Sequence, residues 1–331
     1  MDFVLDYKRD LFLTAKTHFD EKALQLFKFQ YERNMIYRQY AQALKKTPDV
    51  VHNVAHIPFL PISFFKTHRI VSHPHLDALY FESSGTTGEQ TSKLYVRDIS
   101  FYWENAQRIF EDFFGNISDY SFFFLLPNYL ERKNSSLVSM AQSFWEKSNR
   151  EFGGFYLYEI ENLKKDLEKA LKQGKTKVIL WGVTFALLDF SVNLIEKYAD
   201  LLVFETGGMK GRGQEPIREE VHDLLKKRLG TNLIHSEYGM TELFSQAYSL
   251  DGDVFSLPAT MKVYLREPED PLAVHRRPSE RGGINVIDLA NIDTCAFIET
   301  QDLGMLLPTH DFQVLGRFDN SDIRGCNLMV S

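Results

Sequence analysis

Between residues 161 and 236 helical and apolar strand patterns alternate, and no other feature restricts the fold as tightly. Leu163, Leu167, Ala170 and Leu171 recur at helical spacing, with Gly174 placed to end that helix. Val178-Ile179-Leu180-Trp181 reads as a short apolar strand, Phe185 to Tyr198 as a helix, and Leu201-Leu202-Val203-Phe204 as a second strand. A third helix opens at Pro216, carries Ile217, Val221, Leu224 and Leu225 on one face and stops at Gly230, proline first and glycine last. Leu233-Ile234-His235 then re-enters as a strand. Apolar strands separated by helices require right-handed crossovers and hence a parallel sheet, so an α/β core is predicted.

The flanks read differently. Residues 20 to 46 are predicted as one helix from Leu24, Phe27, Tyr31 and Met35, continued by Ile36, Tyr40 and Leu44 and closed by Pro48. Pro58 and Pro61 make Ile57 to Lys66 an extended connector. After residue 250, Met261 to Leu265, Ile284 to Leu289, Ala296 to Glu299 and Phe312 to Leu315 are strand-like, which predicts a smaller antiparallel or barrel-like β subdomain. The expected divisions are a helical segment and connector over 1–75, an α/β core over 76–250, the β subdomain over 251–315, and a C-terminal tail over 316–331.

Composition limits the function classes. A formal charge of −7 disfavours a nucleic-acid or anionic-membrane partner. The 27 Phe, 15 Tyr and 3 Trp suffice to line an apolar cavity as well as fill a core. Two cysteines, Cys295 and Cys326, make neither a disulfide framework nor a four-thiolate metal site. Cys295 reads as core. Charges scattered through the first ten residues exclude a signal peptide, and no apolar run is long enough to span a membrane, so a cytoplasmic location is expected. His52, His56, His68, His73 and His75 cluster in sequence, but intervening prolines argue against a metal site.

Ligands of open α/β sheets bind outside the carboxyl ends of the strands. The strand ending at Phe204 runs into Glu205-Thr206-Gly207-Gly208-Met209-Lys210-Gly211-Arg212-Gly213, whose glycines let backbone approach a flat ligand closely. The next runs into Glu237-Tyr238-Gly239-Met240-Thr241-Glu242, an aromatic face, a hydroxyl and a carboxylate together. A third loop, Ser83-Ser84-Gly85-Thr86-Thr87-Gly88 followed by Lys93, follows Tyr80-Phe81 and has the donors to surround a polyphosphate. It is not a Walker loop, because Lys93 stands five residues after the last glycine.

These loops, in order, resemble the motifs of the adenylate-forming superfamily. Ser83 to Gly88 with Lys93 is similar to its phosphate loop, Tyr238-Gly239-Met240-Thr241-Glu242 to its Tyr-Gly-x-Thr-Glu segment, Thr300-Gln301-Asp302 to Thr-Gly-Asp, and Gly316-Arg317-Phe318-Asp319 to its Gly-Arg-x-Asp hinge. Within it, Ile57 to Pro61, Phe64-Phe65-Lys66, Leu126 to Arg132 and Thr206 to Lys210 resemble the acyl-protein synthetase (LuxE-like) branch. The resemblance implies ATP-dependent conversion of a fatty or aryl carboxylic acid to acyl-AMP. Thr86, Thr87 and Lys93 would hold phosphates, Thr241 the α-phosphate, and Glu242 Mg²⁺. Tyr238 would stack on adenine with Gly207 and Gly208 on its other side, and Asp302 and Arg317 would bind ribose. Phe122-Phe123-Phe124 and Trp181 to Phe185 are expected either to form an acyl pocket or to be core.

Two departures stand out. Gln301 replaces the glycine of Thr-Gly-Asp, and the sequence ends twelve residues past Asp319, where superfamily members continue into a domain carrying an adenylation lysine; that domain is not expected here. Cys326 matches the C-terminal cysteine on which acyl-protein synthetases carry a thioester, and Arg324 nearby would favour its thiolate. The implied partners are a carboxylic acid and a protein acyl acceptor or reductase. Two alternatives stay open: a ligase that transfers acyl-AMP directly to coenzyme A or a carrier thiol, and a non-catalytic nucleotide-binding subunit of an acyl-processing complex.

Overall fold

The computed structural model describes residues 3–73, 79–83, 90–126, 134–157, 159–192, 194–207, 218–250, 252–267 and 269–318. In chain order the helices are α1 (Phe3–Thr14), α2 (Phe19–Arg33), α3 (Met35–Ala43), α4 (Phe64–Thr67), α5 (Ile99–Phe114), α6 (Ser136–Lys147), α7 (Ile160–Gln173), α8 (Thr184–Val192) and α9 (Arg218–Leu229). The strands are β1 (Leu60–Pro61), β2 (Tyr80–Glu82), β3 (Lys93–Tyr95), β4 (Tyr120–Leu125), β5 (Gly154–Tyr156), β6 (Lys177–Val183), β7 (Leu201–Thr206) and β8 (Ile234–Tyr238). They continue with β9 (Ala247–Ser249), β10 (Val254–Ser256), β11 (Met261–Arg266), β12 (Val274–His275), β13 (Arg281–Asp288), β14 (Phe297–Leu306) and β15 (Phe312–Arg317). Two compact units result: one from the described parts of Met1–Ala78, Ser84–Arg97 and Ala259–Ser331, the other from those of Leu79–Ser83 and Asp98–Pro258.

The second unit holds the predicted parallel core. Its strands run β5-β4-β6-β7-β8 in parallel, extended by β9 antiparallel to β8 and β10 antiparallel to β9. Gly174 ends α7 in the left-handed region, φ 60°, where a side chain would be strained. Phe122, Phe124, Trp181 and Phe204 are fully buried. Trp181 stacks on Phe204 at 4.7 Å, and Phe110 of α5 meets Phe144 of α6 at 5.3 Å and Phe122 at 5.6 Å. Of the two roles open to these rings, they take that of core, each contributing about 1.5–3 kcal/mol by burial.

Helix α8 is shorter than its apolar pattern suggested. Beyond Val192 the chain serves α9 instead: the Tyr198 amide donates to the Leu229 carbonyl at 2.7 Å, and Lys197 Nζ donates to the carbonyls of Lys227 and Arg228 at 2.9 and 2.8 Å. These bonds satisfy acceptors that a helix C-terminus leaves open.

The first unit contains the β subdomain, an antiparallel sheet in the order β12-β11-β13-β14-β15 with β1 pairing parallel to β14. The single helix expected over residues 20–46 is two, broken at Asn34. There ψ is 106°, the side-chain oxygen accepts the Tyr37 amide at 3.0 Å, and Nδ2 donates to the Thr294 carbonyl at 3.0 Å. Gln30 adds to the same anchorage, donating to Asn291 O at 2.8 Å and accepting the Ala296 amide at 2.9 Å. The proline connector is held by Tyr37 and Tyr40, whose hydroxyls donate to Pro58 O and Phe59 O at 2.8 and 2.9 Å. No described helix is long and apolar enough to cross a membrane.

Candidate functional site

In the second unit the predicted loops leave the carboxyl ends of β7 and β8. Gly207 turns at φ 77°, a conformation glycine adopts without strain, and it is exposed. The parallel register sets Glu205 beside Ser236 and Thr206 beside Glu237. Because side chains alternate along strands, the first pair faces one side of the sheet and the second the other. Thr206 Oγ1 hydrogen-bonds Glu237 Oε2. Burial is the largest influence on the Glu237 carboxyl and, with the charge of Glu205, outweighs the Thr206 hydrogen bond, pushing its pKa up to about 7.

Tyr238 is buried, its ring 5.8 Å from that of Phe255. At the glycine that follows, a Cβ would lie 2.1 Å from Glu237 Oε1, so a side chain at 239 would require that carboxylate to shift. Thr241 is half-buried and Glu242 is buried. Asn105 of α5 steadies the next residues, its Nδ2 donating to Phe244 O at 3.0 Å and Ser245 Oγ at 3.1 Å. Ser83 is half-buried just after β2. The Glu242 carboxylate is a hard oxygen donor and fits the chemistry of a Mg²⁺ site, while the Thr241 hydroxyl beside it can meet a phosphate oxygen.

In the first unit Asp302 and Arg317, on the consecutive strands β14 and β15, are directly opposed, with Arg317 Nε 3.8 Å from Asp302 Oδ1. The Asp302 amide donates to Thr300 Oγ1 at 3.1 Å, and the Phe318 amide donates to Gln301 O at 2.8 Å. Gln301 is exposed on the strand, so replacing glycine there leaves the aspartate in place. Lys93 opens β3 and is half-buried. Ser84, Gly85, Thr86, Thr87, Gly88, Gly208 and Cys326 lie outside the described residues.

Cys295 is core as expected: its thiol is wholly buried, donates to Phe297 O at 3.4 Å, and is pushed up to about 12 by burial, against that hydrogen bond. His235 is buried between Phe114 and Phe204, ring centroids 5.1 and 4.7 Å away. Among the described residues Glu267, His275 and Glu280 bring three potential metal-ligand atoms within 4.8 Å of one another, but Arg277 already pairs with both carboxylates. Motif reading missed Glu205, Glu237, Thr184 and His222. Of these, Glu205 directly follows an apolar strand run, Leu201 to Phe204, and nothing in the sequence marks it as buried.

Residues 11–101 match the family model described as acyl-protein synthetase, LuxE. Among solved structures, ATP-bound MatB from Rhodopseudomonas palustris aligns with a TM-score of 0.53 at 15% identity, covering 75% of this chain and 48% of that one. O-succinylbenzoate coenzyme A synthetase (MenE) from Bacillus subtilis, in complex with ATP and magnesium ion, gives 0.53 at 14% identity, covering 73% and 51%. The same synthetase with its acyl-adenylate intermediate gives 0.54 at 14% identity, covering 75% and 50%. The chain therefore spans about half the length of these structures. No curated sequence matches it. Residues 11–101 are thus similar in sequence to the LuxE acyl-protein synthetase model, and the fold is similar to that of MatB and MenE.

Proposed function

We propose that this chain activates a carboxylic acid with ATP and passes the acyl group through Cys326 to a protein acceptor. The observation that supports this most is the pairing of Asp302 with Arg317 across β14 and β15. The two residues assigned to ribose by motif alone are neighbours in the fold, one accepting and one donating. The acyl-protein synthetase match over residues 11–101 supports the choice of branch.

In the first step a carboxylate oxygen of the acid attacks the α-phosphorus of ATP, and pyrophosphate leaves. Thr86, Thr87 and Lys93 would hold the phosphates and Thr241 the α-phosphate. Tyr238 and the glycines at 207 and 208 would take the adenine. Glu242 would hold Mg²⁺, which when bound supplies neutralisation of phosphate charge, and the loops would position the reactants. In the second step the Cys326 thiolate, its proton lost to solvent, attacks the acyl carbon and releases AMP, leaving a thioester for transfer to a protein partner. The acid is fatty or aryl.

Intact-mass spectrometry after incubation with ATP, Mg²⁺ and a panel of fatty and aryl acids tests the covalent route. Acylated protein should form and should be lost in Cys326→Ser. Unchanged transfer to coenzyme A or a carrier thiol by Cys326→Ser would instead establish direct ligation.

A further inference from the structure

On the face of the β7–β8 pair opposite Glu237, polar groups from β8 and two further elements converge on the buried carboxylate of Glu205. Thr184, at the start of α8, donates its hydroxyl to Oε1, and Ser236 of β8 donates to Oε2 at 3.1 Å. From α9, Arg218 Nε lies 3.9 Å and His222 Nε2 4.0 Å from Oε2, and His222 Nε2 is 3.1 Å from Ser236 Oγ. Burial, the largest influence, would raise the carboxyl pKa. The His222 hydrogen bond, the Arg218 charge and the Thr184 hydrogen bond together outweigh it, so the group is held below its ordinary value and stays ionised.

Thr184 Oγ1 also lies 3.1 Å from the carbonyl of Gly207, the residue at which the chain leaves β7 in the left-handed region, so its single proton is shared between Glu205 Oε1 and that carbonyl. Three consecutive residues are thus tied: Glu205 to β6's continuation and to β8 on one face, Thr206 to Glu237 on the other, and Gly207 through its carbonyl. The network ties β7 to Ser236 of β8, and these strands lead into Gly207 and end at Tyr238, the pair assigned to the adenine ring. Nothing in a nucleotide site itself requires a buried carboxylate with this many partners at that point. A lone hydrophobic residue would fill the space at lower desolvation cost, so the network has a positional consequence.

We propose that Glu205, acting through Thr184 and Ser236, is a positioning residue that sets the spacing of Gly207 and Tyr238 and so the affinity for the nucleotide base. The choice of ligand rests on the adenylation reading above; the clamp itself rests on the hydrogen bonds alone.

The test compares Thr184→Val, which keeps the shape and removes the hydroxyl, with Thr184→Ser, which keeps the hydroxyl, and with Glu205→Gln. In ATP–pyrophosphate exchange, Thr184→Val and Glu205→Gln should raise the KM for ATP about tenfold, the loss of one hydrogen bond's worth of ground-state binding, with kcat within about twofold. Thr184→Ser should restore most of the affinity. Hydrogen–deuterium exchange over residues 201–207 should quicken in Thr184→Val and Glu205→Gln but not in Thr184→Ser. Wild-type exchange with an unaltered KM in Thr184→Val overturns the positioning role and leaves the adenylation reading intact. Absence of ATP exchange and of ATP binding in the wild type overturns that reading and the nucleotide role together. Deuterium uptake unchanged in all three variants overturns the clamp whatever the activity.

Discussion

Glu237→Gln should stabilise the protein at alkaline pH and leave it almost unchanged in acid. The Glu237 carboxyl is raised from 4.5 to about 7 by burial first and by the charge of Glu205, against a hydrogen bond from Thr206. A carboxyl whose folded pKa lies above its unfolded value binds more protons in the folded chain, so stability falls as pH rises from 4.5 through 7. The shift of about 2.5 units at 1.36 kcal/mol each sets a cost near zero at pH 4 and about 3 kcal/mol at pH 8. Glutamine is close in shape, carries no charge, and can keep the contact with Thr206. Urea unfolding of wild type and variant at pH 4 and pH 8 measures the difference. An increment of up to about 3 kcal/mol confined to pH 8 agrees with the reasoning. Equal stabilities at pH 8, or an increment identical at both pH values, would refute it.

Three further outcomes follow from the packing. Asn34→Ala removes a helix cap and one of the two donors to the Thr294 carbonyl, Ser72 Oγ remaining at 2.9 Å, and should cost about 1–2 kcal/mol in urea unfolding. Arg266→Met should cost about 3 kcal/mol, because the buried guanidinium donates to Ile284 O, Asn285 Oδ1 and Thr300 O at 3.1, 2.9 and 2.7 Å and those acceptors would be left without it. With its thiol buried and raised to about 12, Cys295 should not react with a disulfide reagent at pH 8 until urea is added, so native labelling should be confined to Cys326 and vanish in Cys326→Ser.

The regular parts of the fold were legible because their signals are local. Apolar runs marked β6, β7 and β8, and Gly174 marked the end of α7 by needing a positive φ. The break at Asn34 was not legible, because the helical pattern runs through it and the bond that exploits the break reaches Thr294, 260 residues away. The early end of α8 has the same origin, since Tyr198 is drawn to the terminus of α9. In the candidate site the chemistry of Asp302 and Arg317 could be named from motifs, but their opposition depends on the β14–β15 register. Glu205 and Glu237 escaped notice because nothing local distinguishes a charged residue at a strand end that is solvated from one that is buried, as Glu205 is, or half-buried, as Glu237 is. Only the pairing of β7 with β8 puts them on opposite faces with different partners and shifts their pKa values in opposite directions.

Acid-dependent ATP–pyrophosphate exchange tests the central claim most directly, because it reads the first step without needing the acceptor. The purified chain should catalyse exchange with at least one fatty or aryl acid in the presence of Mg²⁺, Asp302→Ala should weaken it through KM for ATP, and Cys326→Ser should leave it intact. Exchange absent with every acid tested, with and without candidate protein partners, would contradict acyl activation and favour a nucleotide-binding subunit without chemistry of its own.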